Sequence, residues 1–97
     1  MTETVPVAFE LLEVQPVHGV RDLLALASVS LDVAGVPIEL HGLRVVPQPG
    51  GRLGVGVPMY RHAGVSRPAA VLPPELLDAI AVEVAAELGS RTRHPAA

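Results

Sequence analysis

The sequence predicts a small α+β domain, an antiparallel sheet of four to five strands in meander order followed by one C-terminal α-helix. Three observations carry this expectation. Between Leu23 and Val46, LLALASVSLDVAGVPIELHGLRVV holds two alternating apolar runs about a short Gly-containing turn, the pattern of a central β-hairpin. The chain is rich in Val, whose branched Cβ suits a pleated surface. After Pro73 the apolar residues recur every three or four positions, which marks a helix.

Taken in order, Thr4–Pro16 reads as a first strand with Val5, Val7, Phe9 and Leu11 on one face, and Pro6 suits an edge where no ladder donor is needed. Pro16, His18 and Gly19 mark the turn that follows. The second strand places Leu23, Ala25, Ala27, Val29, Leu31 and Val33 on one continuous apolar face. Its other face begins apolar (Leu24, Leu26) and turns polar (Ser28, Ser30, Asp32), so half of the strand is expected to be buried on both sides. The chain reverses at Val33–Gly35. In the third strand Val36, Ile38 and Leu40 point inward and Glu39 and His41 outward. After Gly42 the parity flips to Leu43 and Val45, as a β-bulge at a glycine would produce.

Pro47-Gln48-Pro49-Gly50-Gly51 is a loop signal. Arg52–Pro58 forms a fourth strand, with Leu53, Val55 and Val57 on one side and Gly54 and Gly56 on the other, where a backbone or helix can come close. Tyr60–Pro68 reads as a polar loop carrying Arg61, His62 and Arg67, and Ala69–Leu72 as one more short strand. Pro73-Pro74-Glu75 opens the helix, since Pro is tolerated in the first turn and Glu suits the positive end of the dipole. Leu76, Leu77, Ile80, Val84 and Leu88 make its apolar stripe, and Gly89 is a natural stop. The expectation is one domain over residues 1–89 and a loosely ordered tail over 90–97.

The 97 residues suit a single domain, and an apolar content of 49% leaves some apolar surface for a subunit contact. Cysteine is absent, which excludes a disulfide framework and a thiolate zinc site. No signal-peptide pattern opens the chain, and its longest apolar run falls far short of the roughly 20 residues that cross a bilayer. A soluble, cytoplasmic protein without a membrane partner is expected. Net charge is −3 and all seven cations are Arg, so the globally basic footprint of many nucleic-acid binders is missing. Arg44, Arg52, Arg61 and Arg67 straddle the loop region, and a local patch of such planar bidentate donors would suit phosphate. The competing reading is scattered charge that balances the ten carboxylates.

Other constellations carry less. Ser28, Ser30, Asp32 and His41 are the residue types of a Ser-His-Asp triad on one side of the central hairpin. A triad needs an oriented base and oxyanion donors, and a solvated strand face is the reading taken; no catalytic residue and no enzyme is expected. The four histidines show no metal-ligand spacing, so no metal is expected. Gly50-Gly51-x-x-Gly54-x-Gly56 is neither GxGxxG nor a P-loop and implies no cofactor.

Three segments resemble the SpoVG family (stage V sporulation protein G, or septation protein), over about Val7 to Leu88. Leu24–Asp32, LALASVSLD, is similar to the family's AIASITLD strand. Ile38–Val46, IELHGLRVV, resembles VVHDIRVI, with His41, Arg44 and Val45 on matching positions. Leu53–Arg61, LGVGVPMYR, resembles LFVAMPSKR and keeps Leu53, Val55, Pro58 and Arg61. The resemblance implies a strand-mediated homodimer that binds DNA or RNA and regulates bacterial gene expression, septation or sporulation, with Arg61 as a binding residue. The chain departs from the family at Tyr60, where Lys stands, at Gly54, where Phe stands, and at Leu77 and Ala79, where the helix carries cations. Fewer cations imply weaker binding and a shallower salt dependence. The alternative is a dimeric interaction or scaffold module of the same fold that binds a protein partner and no nucleic acid.

Overall fold

A computed structural model describes residues 8–20 and 22–93. It shows the α+β class: a four-stranded antiparallel sheet, a separate two-stranded sheet and one C-terminal helix. The elements are β1 (Ala8–Pro16), β2 (Ala25–Val33), β3 (Val36–Gln48), β4 (Arg52–Gly56), β5 (Met59–His62), β6 (Val65–Pro68) and α1 (Pro74–Arg93). The main sheet is a meander in the order β1-β2-β3-β4. The expectations for Val5, Pro6 and Val7 and for the end of the tail lie outside the described residues.

One face of the sheet is the core. Ala25, Ala27, Val29 and Leu31 from β2, Leu43 and Val45 from β3 and Val14 from β1 are buried against Ile80 and Val84 of α1. Phe9, Leu11, Leu40, Leu53, Val55, Leu76 and Leu88 pack around them. The helix starts as its sequence dictates, with the Pro73 carbonyl accepting the amides of Leu76 and Leu77 at 3.1 Å. It does not stop at Gly89 but continues to Arg93, because glycine in a helix costs only about 1 kcal/mol where the flanking turns propagate.

Two bulges set which side chains face the core. Between the pairs Ala27↔Leu43 and Val29↔Leu40, Ser28 alone faces both His41 and Gly42. Gly42 has φ +81°, the left-handed region that glycine enters without strain. The parity flip expected there is real, and it keeps Leu40, Leu43 and Val45 inward. A second bulge lies in β1, where Leu12 is extra between Leu11↔Val29 and Glu13↔Ser28. The apolar face therefore passes from Phe9 and Leu11 to Val14, which simple alternation misses.

Three other expectations are corrected. Leu24 and Leu26 are not covered on the outer face of β2, because α1 lies on the opposite side. No strand forms over Ala69–Leu72: β6 ends at Pro68, the Ala69 amide donates to the Pro58 carbonyl, and the segment then runs unpaired by any ladder to the start of α1 at Pro74. Tyr60–Pro68 is not a loop but lies within the β5–β6 hairpin, which turns on Ala63-Gly64 with φ +52° and +79°.

Candidate nucleic-acid interface

The β5–β6 hairpin is an arm that leaves the sheet after β4. Its base is closed by the Ala69 amide donating to the Pro58 carbonyl at 2.8 Å, and all eight of its strand residues are exposed. Arg61 and Arg67 both stand on it, and Met59–Pro68 contains no carboxylate. The register separates the two cations. Tyr60 pairs with Arg67 and His62 with Val65, while Arg61 pairs with Ser66 and Met59 with Pro68. Directly opposed residues share a face of a β-ladder, so Tyr60, His62, Val65 and Arg67 occupy one face, and Met59, Arg61, Ser66 and Pro68 the other. The Arg61 guanidinium donates to the Gly64 carbonyl at 3.2 Å, which holds it over the turn.

Arg44 stands at the foot of the arm. It is exposed on the outer face of β3, opposite Leu26 on one side and Gly56 on the other. A groove of about 810 Å³ runs beside it, lined by Asp22, Val46, Met59, Val71, Leu72 and Leu77. Arg52 lies apart. Four residues separate it from Gly56, the partner of Arg44, or about 13 Å along the strand, and it shares a recess with Asp78 of α1. The four arginines expected as one patch are thus a pair on the arm, one at its foot and one away from it. Tyr60 and His62 join Arg67 by a register that the sequence signals only as alternation on either side of Ala63-Gly64.

The outer face of the sheet is divided. Around Arg44 it is apolar, with Leu24 and Leu26 41% and 36% exposed. Beyond the bulges it is polar and acidic, carrying Glu10, Glu13, Ser28, Ser30, Asp32, Glu39 and His41. There His41 Nδ1 lies 2.9 Å from Ser28 Oγ, and Nε2 lies 3.0 Å from Glu39 Oε1. Ser and His meet as triad types would, with Glu39 rather than Asp32 as the acid, because Asp32 Oδ1 accepts the Gly35 amide at 2.8 Å in the hairpin turn. Both His41 and Glu39 are more than half exposed, and neither the groove nor the Arg52 recess includes the three residues.

Among the described residues no group of His, Asp or Glu converges to hold a metal ion, and no helix is long and apolar enough to cross a membrane. No family model, curated protein or solved structure matches the chain.

Proposed function

We propose that this chain is a dimeric nucleic-acid-binding regulator of the kind that the SpoVG resemblance implies, and that it holds DNA or RNA through the β5–β6 arm. The observation that carries this reading is the arm itself. It projects Arg61 and Arg67 free of any carboxylate from a chain that is otherwise net acidic. Arg44 at the foot extends the cationic track, and Arg52, beside Asp78, contributes least. Phosphate contacts of this kind supply sequence-independent affinity, which falls as salt rises. Leu24 and Leu26 on the outer face, and separately the groove beside Arg44, give apolar area suited to a second subunit.

The deciding experiment titrates short DNA and RNA against salt, with an Arg61→Ala/Arg67→Ala variant alongside. With two arm cations per protomer, log K should fall against log salt with a slope of about −1.4 per protomer on single strands. The variant should lose most of that slope. A slope unchanged in the variant would remove the arm from the interface. Solution mass reads the dimer, and a strict monomer at micromolar concentration would refute it.

The apolar groove and the negative net charge favour a second reading, a dimeric interaction or scaffold module that docks a protein partner. Absence of binding to either nucleic acid at low salt would select it.

A further inference from the structure

We propose that the Tyr60 face of the β5–β6 arm is a base-stacking platform, and that the nucleic acid it takes is single-stranded. This rests on the arm being the nucleic-acid surface and adds which form of nucleic acid it selects and by which residues. The ladder pairs Tyr60 with Arg67 on one face of the arm, with His62 two residues further along the same face. Tyr60 is 48% exposed, and no side chain of Tyr60, His62 or Arg67 has a hydrogen bond or ion pair to another described residue. An aromatic, an imidazole and a guanidinium side chain therefore share one exposed face of the arm, and no described residue bonds to them.

Two cations per arm are few for a duplex, whose affinity comes from neutralised phosphates. A ring gains by stacking on an exposed base, whichever base it is. The π-faces of a duplex are already occupied by neighbouring base pairs, so Tyr60 can be used only by a strand whose bases are free. Spacing points the same way. Tyr60 and His62 are about 7 Å apart along the strand, roughly twice the 3.4 Å rise per nucleotide of a stacked strand. Successive bases reach both rings only when unstacked, and Arg67, across from Tyr60, is then placed for a phosphate of the same strand.

The chain contains one Tyr and no Trp, so its tyrosine emission reports on Tyr60 alone. The test titrates the full chain with oligo(dT) and oligo(U) of roughly 12 nucleotides, a usual site size, and with a duplex of the same length. Tyrosine emission and the anisotropy of labelled strands are followed together. The expected result is saturable quenching by the single strands and duplex affinity about tenfold or more weaker. Tyr60→Ala should lose about tenfold or more in single-strand affinity with its salt slope kept, and Tyr60→Phe should restore it. Circular dichroism verifies the fold of each variant. Binding without quenching, a duplex bound as tightly as a single strand, or an unaffected Tyr60→Ala would overturn the platform and leave the arm's phosphate role standing. No binding of either form at low salt would overturn both.

Discussion

Replacing Gly42 by Ala tests the feature that decides which way Arg44 faces. Gly42 lies at φ +81°, and a Cβ built there meets only Pro58 Cβ at 3.8 Å, an ordinary contact. The cost is therefore conformational and not steric. An L-residue in the left-handed region loses about 1–2 kcal/mol. For a domain of this size each kcal/mol moves the melting temperature by about 4–8 °C, so Gly42→Ala should melt roughly 4–16 °C below the parent. Gly42→Asn should recover part of the loss, since Asn tolerates that region. Gly56→Ala is the control, because Gly56 has no positive φ and nothing within 4 Å of the added atom, so it should change stability by less than about 0.5 kcal/mol. The assay is thermal unfolding followed by circular dichroism at one fixed protein concentration. Equal melting of Gly42→Ala and the parent would refute the bulge. Without the bulge the register would slip by one, Leu43 and Val45 would turn to solvent, and Arg44 would turn into the core.

Two further predictions concern the frame that carries the arm. Both hairpins turn on Ala-Gly with the alanine at positive φ (Ala34 at 53°, Ala63 at 52°), so Ala34→Asn and Ala63→Asn should each add about 0.5–1 kcal/mol in urea unfolding. A loss in either variant would contradict the turn geometry. Ile80 is fully buried at the centre of the α1 stripe, and Ile80→Ala should cost about 2–5 kcal/mol, whereas Val82→Ala, at a site 70% exposed, should cost less than about 0.5. Equal effects of the two would mean that α1 packs through another face.

What the sequence reveals depends on how much of the structure is local. The β2–β3 hairpin is legible because strict alternation brackets a turn, and the bulge at Gly42 because a parity flip coincides with a glycine. The β1 bulge coincides with no glycine: Leu11-Leu12 offers two adjacent apolar residues, and only pairing with Val29 and Ser28 decides which one faces inward. The β5–β6 hairpin is hidden because Ala-Gly is a weaker turn signal than Asn-Gly and neither strand has an apolar face. The site suffers most from this. Arg61 and Arg67 can be named as cations from the sequence, but their opposite faces, and the company of Tyr60 and His62, follow from that unread register. Glu39 replaces Asp32 beside His41 for a similar reason, since a turn two residues away engages the aspartate.

Under the proposed function, charge placement is what would let a chain of net charge −3 offer a surface to a polyanion. The arm carries two cations and no acid, so the rest of the chain is more acidic than the whole. Glu10, Glu13, Asp32 and Glu39 lie in the outer-face half beyond the bulges, away from Arg44 and the foot of the arm. At about 0.1 M salt the screening length is roughly 10 Å, so a strand docked on the arm meets the local field and little of the acidic half. At about 0.01 M it is roughly 30 Å, so the acidic half also reaches the strand and offsets part of the attraction at the arm. Attraction at the arm and repulsion from the body thus act over different ranges. On the reading proposed above, a stacking contact at Tyr60, which salt does not screen, would add affinity to what two arginines on an acidic chain supply.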